Sequence, residues 1–299
     1  MDVGNGWTCW WPAQMGKIEE VWRRAWSASA GPATVFQTFE FARHWIGTFT
    51  QSEVEIWVHS GSSLVLPLAR RNDRVSLVGE GLFDYCDLIG PGADDAVLER
   101  AADIMAAGDL KPRATGVRAD SPFMDFWRRL GEGAYFSAAP QRPASAGALP
   151  PTRVVGRWQR AEQAGVRARE ETDVRERRAV VDWILERKQQ HPANMLGALE
   201  RRWIETVVEH SPHLAEVWSL RRGAHIMSGL LCWRYPPTRY CYTVAHDSAD
   251  AALSPGILLL YFVVNCSMST GWDVDFLTGE QDFKLRFATR RQALHKYGD

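Results

Sequence analysis

The residues with the clearest chemical potential lie in WDVDFLTGEQDFKLRFA, residues 272–288, where charged and aromatic side chains alternate. Alternation with a period of two residues is typical of a half-buried strand. The pattern predicts a hairpin that turns at TGEQ and has one apolar face and one charged face. In this register Asp275 lies opposite Lys284, and Asp273 lies opposite Arg286.

Two interpretations of this charged face remain open. Opposite charges on paired strands often form structural ion pairs, each worth about 0.2–1 kcal/mol. If the face borders a cleft instead, the same charges could position a polar substrate. A carboxylate such as Asp275 or Glu280 could then accept a proton from it.

A second candidate site is SPGILLL, residues 254–260, which reads as the start of a helix. Ser254 suits an N-cap whose hydroxyl accepts hydrogen bonds from first-turn amides. Pro255 suits the first helical position, and Gly256 would let a ligand approach the backbone. A helix start of this kind can bind an anion such as a pyrophosphate.

The alternative is a capped, buried helix that binds nothing, as most capped helices do. Asp247 and Asp250 lie just before the helix and count against a phosphate site because they would repel it. The residues alone therefore leave the anion site as a hypothesis.

His246 is the third candidate, at the end of the predicted strand TRYCYTVAH, residues 238–246. Tyr242, Val244 and His246 share one face of that strand. A histidine at this place could deprotonate an amine or hydroxyl nucleophile. A single histidine is, however, more often an ordinary surface or core residue.

Two further groups are candidates for substrate binding. Trp183 and Lys188 lie on one amphipathic helix, where the alternative roles are core and solvated rim. Asp84, Tyr85 and Asp87 form a polar cluster in FDYCDLIG, which is either a binding loop or a turn between strands.

These candidates must be positioned by two domains with a similar order of helices and strands but no repeated sequence. The stretch SAAPQRPASAGALPP is rich in Pro, Ala, Ser and Gly and predicts a linker over residues 141–152. The flanking domains are residues 1–140 and 153–299. Both halves mix helices with strands in a layered order, which indicates an α/β fold class of mixed sheets flanked by helices.

The element pattern is clearest in the second half. A hairpin turns about Gly223, a strand covers 238–246, and a buried helix begins at SPG. Before them lie two amphipathic helices, in VRERRAVVDWILERKQQ and MLGALERRWIETVVEH. The first half is predicted to contain a helix over 34–49, a hairpin about Gly61, a short strand CDLIG and a helix over 96–108.

Composition excludes several classes of protein. The 299 residues carry 35 basic and 36 acidic side chains, a net charge of −1, which disfavours DNA as a partner. The five cysteines are scattered without a C-x-x-C pair, so neither a disulfide framework nor a metal site is expected.

No signal peptide pattern opens the chain, and the longest apolar run, Ile257–Val264, is far shorter than the roughly 20 residues that span a bilayer. We therefore expect a cytoplasmic protein without a transmembrane segment. The sequence also lacks the motifs of serine hydrolases, P-loop enzymes, Rossmann dehydrogenases and zincins.

The order of four landmarks resembles a known family. FQTFEFARHW and SLVLPLARR come first, then DYCDLIG, then SPGILLLYFVV, and finally VDFLTGEQDFKLRFA. Together they resemble the cellulose-biosynthesis-associated acetyltransferases (CelD/BcsL) of the GNAT superfamily, relatives of the FemABX-type transferases. The resemblance covers roughly residues 33 to 290.

The resemblance implies tandem GNAT-like units, with the acyl-donor groove in the second. Acyl-CoA, or the phosphopantetheine of an acyl carrier protein, would lie between two splayed strands. Donor contacts would come from Ser254, Pro255, Gly256 and Ile257, with Tyr242, Val244 and His246 along the pantetheine. Asp275, Glu280 and Lys284 would lie near a small-molecule or glycan acceptor.

The implied reaction is direct acyl transfer to an amine or hydroxyl, with no metal. His246, Asp275 and Glu280 are the candidate catalytic residues. The candidate acceptor-binding residues are Asp84, Tyr85, Asp87, Trp183, Lys188, Lys284 and Arg286. Two alternatives remain: a tRNA-dependent aminoacyl or peptidyl transferase, and a non-catalytic binding protein with a degenerate GNAT fold.

Overall fold

The computed structural model describes residues 6–29, 34–108, 110–147, 149, 153–190 and 196–298. The chain divides into two compact units, of which the first comprises Met1–Ala138 and Gln292–Asp299 and the second Ala139–Arg291. The predicted domains are residues 1–140 and 153–299, whereas in the structure Gln292–Asp299 belong to the first unit.

The strands follow the predicted alternation of helices and strands. They are β1 (Trp7–Trp10), β2 (Glu53–His59), β3 (Leu64–Arg71), β4 (Arg74–Leu77), β5 (Lys111–Arg118), β6 (Ala134–Arg142), β7 (Val166–Glu170), β8 (Ala215–Arg222), β9 (His225–Tyr235), β10 (Thr238–His246), β11 (Asp273–Asp275) and β12 (Arg290–Tyr297).

The helices flank these strands in both units. They are α1 (Met15–Ser27), α2 (Phe39–Thr48), α3 (Asp95–Ala106), α4 (Met124–Arg129), α5 (Arg153–Gln163), α6 (Val174–Gln189), α7 (Ala198–His210), α8 (Pro255–Ser269) and α9 (Asp282–Leu285).

In the first unit the strand order is β1-β2-β3-β4-β5-β12. The β4–β5 pair is parallel and the other pairs within β1–β5 are antiparallel, as is β5 with β12. The helix predicted over 34–49 is a short 3-10 turn followed by α2. The predicted strand CDLIG contributes only an isolated bridge between Ile89 and Val65.

In the second unit the order is β6-β11-β10-β9-β8-β7. The β10–β11 pair is parallel and its neighbours are antiparallel, so this sheet is also mixed. The predicted β8–β9 hairpin is confirmed, with Gly223 at its turn in the left-handed region (φ 58°) that glycine tolerates best. Helix α8 is confirmed as a buried helix, with Leu258, Val263 and Val264 in the apolar core.

The predicted hairpin over 272–288 is wrong. Strand β11 ends at Asp275, and residues 282–285 form the short helix α9 instead of a returning strand. The reason is tertiary: β11 is flanked by β10 on one side and β6 on the other, so neither edge is free for a strand from 282–288. Phe276 instead packs against Phe287, with ring centroids 6.3 Å apart.

The predicted linker is partly structured. Its first two residues, Gln141 and Arg142, complete β6 and pair with β11. Residues 144–146 form a 3-10 turn, while residues 148 and 150–152 lie outside the described part of the chain.

Candidate functional site

The central feature of the second unit is a gap between β10 and β11. The two strands pair in parallel only where Thr238–Tyr240 lie beside Asp273–Asp275. Strand β10 continues for six more residues, to His246, while the chain leaves β11. The second half of β10 therefore has β9 as its neighbour on one side and the gap on the other.

Asp275 fixes the point where β11 ends. One carboxylate oxygen accepts a hydrogen bond from the Leu277 N–H at 2.7 Å, and the other accepts one from Gln141 Nε2 at 2.7 Å. Leu277 has a left-handed backbone (φ 60°), a conformation that ends an extended strand. An aspartate that bonds to the amide two residues ahead is a common way to stabilise such a turn.

A β-bulge shapes the free side of β10. The register with β9 shifts by one residue between Cys241 and Thr243. A bulge increases the local twist and reorients side chains, and bulges are frequent beside active sites. Here the Tyr242 ring packs against Trp233 and Trp203, at 5.1 and 6.5 Å between centroids.

The gap contains a cavity of about 610 Å³. Its walls come from the second half of β10, the start of α8 and the segment after β11. The lining residues include Cys241, Tyr242, Thr243, Val244, His246, Ser254, Gly256, Ile257, Leu260, Phe276, Gln281, Phe283, Lys284 and Lys188. A volume of this size lies within the range typical of small-molecule sites.

The start of α8 differs from the prediction in one respect. Pro255 is the first helical residue as expected, but Ser254 has a left-handed backbone and its hydroxyl makes no capping hydrogen bond. Its carbonyl oxygen instead accepts from the amides of Ile257 and Leu258, at 3.0 and 3.2 Å. Among the described first-turn residues, the Gly256 N–H is therefore the amide left for a ligand.

Gly256 faces the cavity and β10. A Cβ placed on it would lie 3.7 Å from Val244 and 3.8 Å from His246 Nδ1, which are ordinary contact distances. An alanine is therefore compatible with the fold, whereas a large side chain would project into the cavity.

The two acids that argued against a phosphate site are both engaged by basic groups. Asp247 pairs with Arg187 at 3.1 Å and accepts a hydrogen bond from the Ala249 N–H. Asp250 bonds to His225 Nε2 at 2.8 Å. Neither acid lines the cavity, so the predicted repulsion is weaker than their positions in the sequence suggested.

A buried ion pair lies at the end of the gap where β10 and β11 are still paired. Arg239 on β10 pairs with Glu216 on β8 and donates to Ser267 on α8. The rings of Trp218 and Trp272 lie 5.5 and 5.3 Å from the Arg239 guanidinium. Burial acts to raise the pKa of Glu216, but hydrogen bonds from Arg239 hold it below its usual value.

Two lysines reach the cavity from different elements. Lys284 of α9 donates to the carbonyl oxygens of Thr278 and Leu277, at 2.6 and 3.4 Å, and so holds the loop after β11. Lys188 extends from the last turn of α6. Burial lowers the pKa of the Lys188 ammonium.

Eight of the predicted second-unit residues line the cavity: Tyr242, Val244, His246, Ser254, Gly256, Ile257, Lys188 and Lys284. Five do not. Pro255 is buried, Asp275 is held as described, and Arg286 is exposed. Glu280 pairs with Arg291 at 3.0 Å, and Trp183 stacks with the Arg187 guanidinium at 5.0 Å.

The predicted polar cluster of Asp84, Tyr85 and Asp87 belongs to the first unit. Asp87 accepts hydrogen bonds from Trp127 Nε1 and the Leu88 N–H, both at 2.9 Å. Burial raises the pKa of its carboxyl group to about 6. Tyr85 is buried, with the Arg118 guanidinium 5.7 Å from its ring.

Sequence reasoning missed several lining residues, among them Cys241, Thr243, Leu260 and Gln281. Strict alternation along β10 assigns Cys241 and Thr243 to the face opposite Tyr242. The bulge between Cys241 and Thr243 brings these two residues and Tyr242 to the cavity, and it leaves no distinctive signal in the sequence.

Within the described residues, no group of three or more His, Cys, Asp or Glu could hold a metal ion. None of the described helices is both long and apolar enough to cross a membrane.

Comparison with known proteins agrees with this architecture. Residues 152–285 match the acetyltransferase (GNAT) domain family, so the match falls on the unit that contains the cavity. No curated protein sequence matches the chain significantly. The CelD/BcsL resemblance is not confirmed at the level of that family, whereas the GNAT superfamily is supported.

Solved structures extend the likeness to both units. The C-terminal domain of a protein described as a lysylphosphatidylglycerol synthetase, from Agrobacterium fabrum, is 9% identical with a TM-score of 0.67, over 96% of this chain and 92% of that chain. FemX is 11% identical with a TM-score of 0.62, over 92% and 95%.

A tandem GNAT protein from the clavulanic acid biosynthesis pathway is 13% identical with a TM-score of 0.50, over 98% of both chains. At these identities the likeness shows the fold alone. The predicted α/β fold of GNAT-like mixed sheets flanked by helices is confirmed.

Proposed function

We propose that the second unit is an acyltransferase that moves an acyl group from acyl-CoA, or from an acyl carrier protein, directly to an amine or hydroxyl. The acceptor would be a small molecule or a glycan. The observation that carries this proposal is the cavity of about 610 Å³ at the place where β10 and β11 separate. The match of residues 152–285 to the GNAT domain supports it.

The residues around the cavity fit a pantetheine arm. Val244 and Ile257 offer apolar surface on opposite walls, and Gly256 keeps the passage between them open. The Gly256 N–H at the start of α8 can donate to a phosphate, and the helix dipole favours an anion there. This end of the cavity is therefore the proposed site of the donor's phosphates.

His246 lies beside Gly256 and thus at the same end. Its imidazole is suited there to bind a phosphate, a role that differs from the proton acceptor its residue type first suggested. The acyl group would lie deeper, near the bulge at Cys241–Thr243 and the side chains of Phe276 and Phe283.

In this reaction the nitrogen or oxygen of the acceptor forms a bond to the acyl carbon of the bound thioester, and the C–S bond breaks. The acceptor loses a proton, and the departing thiolate gains one. This chain's contribution is to position the two reactants and exclude water between apolar walls. Lys284 acts indirectly, because it holds the 277–284 loop that forms one wall.

The experiment is a thermal-stability panel with CoA, acetyl-CoA, longer acyl-CoAs and a phosphopantetheinylated carrier protein. A ligand that binds only the folded state at 100 times its Kd stabilises by about 2.7 kcal/mol, enough to shift the melting temperature measurably. We expect at least one donor to raise Tm in the wild type, and Gly256→Trp to abolish that rise.

Two controls interpret the result. Gly256→Ala should still bind the donor, because its Cβ fits at ordinary contact distances. Gly16→Trp adds the same side chain at an exposed position of α1, where a Cβ has no neighbour within 4 Å. A donor shift that persists in Gly256→Trp, or no shift with any thioester, would refute the proposal.

Aminoacyl transfer from charged tRNA is the second candidate. The observation in its favour is the shared fold with FemX and the lysylphosphatidylglycerol synthetase domain, together with a cavity lined by lysines. Binding of aminoacyl-tRNA, in the absence of any shift with acyl-CoA or carrier protein, would support this candidate over the first.

A further inference from the structure

Residues from both faces of the second unit's sheet line the cavity. Gly229 on β9 faces α6, since a Cβ built there would lie 2.7 Å from Ile184 Cγ1. The next residue, Leu230, points the other way and packs in the apolar cluster around α8. Successive strand residues face opposite sides, so α6 and α8 cover opposite faces. Lys188 of α6 and Gly256 of α8 nevertheless line one cavity.

The Lys188 ammonium group has no counter-charge among the described residues. Within the part of the chain that the structure describes, its ammonium group makes no hydrogen bond and no ion pair. The residues 191–195 that follow α6 read HPANM and contain no carboxylate. Its neighbour Arg187, by contrast, is paired with Asp247 at 3.1 Å.

A lysine in the last turn of a helix often has only a structural role, because it interacts favourably with the helix dipole. Such a lysine extends into water, where its charge is fully hydrated. The Lys188 side chain instead enters the cavity and is only partly exposed. Burial lowers its pKa, so the ammonium has lost part of its hydration without gaining a counter-charge.

The charges of the residues that line the cavity indicate what kind of group would pair with Lys188. Among the described residues that line the cavity there are two lysines and His246, and there is no aspartate or glutamate. Lys284 is already held by two carbonyl oxygens. Lys188 is thus the lining ammonium that remains available, and a partly dehydrated cation is best compensated by an anion.

Building on the acyltransferase function proposed above, we propose that Lys188 binds a carboxylate or phosphate group of the acceptor. The acceptor is then an amine or hydroxyl compound that also carries a negative charge. The anion is assigned to the acceptor because the donor's phosphates are placed at Gly256, on the α8 face, whereas Lys188 enters from the α6 face.

The test compares amine acceptors in matched pairs of which one member lacks the anionic group: β-alanine with β-alaninamide, phosphoethanolamine with ethanolamine, and glucosamine 6-phosphate with glucosamine. First, the full chain is labelled briefly with acetic anhydride, and modification of Lys188 is quantified by peptide mass spectrometry. We expect the anionic member of at least one pair to slow labelling of Lys188, relative to labelling of the exposed Lys17 in the same sample, threefold or more. The member without the anionic group should have no such effect.

Second, affinities are measured by calorimetry in variants. Lys188→Met should weaken the protecting anion at least tenfold while acyl-CoA binding changes less than twofold, and Lys188→Arg should retain most of the anion affinity. Lys17→Met, which removes an exposed lysine from α1, is the matched control and should change neither affinity.

The proposal is overturned if no anionic probe protects Lys188, if both members of each pair protect it equally, or if Lys188→Met weakens the binding of acyl-CoA instead. The last result would assign the anion to the donor. Failure here is distinguishable from failure of the proposed function, since donor binding that is sensitive to Gly256→Trp would survive it.

Discussion

Tyr240 on β10 and Asp275 on β11 form the last pair of the parallel ladder between these strands. Beyond this pair β10 continues while the chain turns away at Leu277. The position of one carboxylate therefore decides where the sheet opens and where the cavity begins.

The first prediction concerns Asp275. Its carboxylate accepts from the Leu277 N–H and from Gln141 Nε2 in a buried setting, so Asp275→Ala leaves both donors unsatisfied. We expect the free energy of unfolding to fall by about 1–3 kcal/mol, measured by urea denaturation. Glu209→Ala, which removes an exposed carboxylate from α7, should leave stability unchanged.

The same variant tests the other role predicted for Asp275, that of a general base which accepts a proton from the acceptor. If Asp275→Ala keeps wild-type stability but lowers kcat by a factor of 10²–10⁴, the carboxylate acts as a general base and the structural role is refuted.

The second prediction concerns His246. Because its ring lies beside Gly256 at the proposed phosphate end, His246→Gln should remove one charge-assisted hydrogen bond to the donor. We expect KM for the donor to rise about tenfold, in line with a loss of about 1.4 kcal/mol, while kcat changes little. Steady-state kinetics at several donor concentrations measure both quantities.

His213→Gln is the matched control, since His213 is exposed and is not one of the lining residues of the cavity. A fall in kcat with an unchanged KM, together with loss of the acidic limb of the pH–rate profile, would instead identify His246 as the proton acceptor.

The third prediction concerns Asp87 in the first unit. Its pKa is raised from 3.8 to about 6 by burial, so the folded chain holds a proton that the unfolded chain releases between these values. The contribution of Asp87 to stability is then greatest below about pH 4 and is lost as the pH rises through 6. We expect this contribution to the free energy of unfolding to fall by about 1–2 kcal/mol over that pH range, because part of the Asp87 side chain remains accessible to water.

Asp87→Asn removes this titration and keeps an oxygen for Trp127 Nε1. The variant should gain stability relative to the wild type between pH 4.5 and 7.5, measured by urea unfolding at both values. Asp125→Asn, at an exposed carboxylate of α4, should show no such gain. An equal difference between wild type and Asp87→Asn at both pH values would contradict the prediction.

The elements that the sequence predicted well are those with strong local signals. Helix α8 was predicted from Pro255 at its start and from the apolar residues on all its sides. The β8–β9 hairpin was predicted from the turn at Gly223. The hairpin over 272–288 failed because alternation reports a strand's two faces and says nothing of which strands already occupy its edges.

The candidate site shows the same division. The family resemblance implied that Gly256, Tyr242 and Val244 lie along the donor and Lys284 near the acceptor, and all four line the cavity. Glu280 and Trp183 were plausible by type but have other partners, Arg291 and Arg187. Trp183 and Arg187 are four residues apart on α6 and are therefore neighbours on its surface. The Glu280–Arg291 pair joins two segments whose relative position only the fold sets.

The sequence by itself determined the α/β fold class and the start of helix α8, because both depend on patterns of residues close together in the chain. Only the tertiary structure decided where β10 and β11 part and that Lys188 shares a cavity with Gly256. It also decided that the Asp275 carboxylate accepts hydrogen bonds from Leu277 and Gln141. These features depend on strand partners and on which face of the sheet each helix covers, and such contacts join residues that are far apart along the chain.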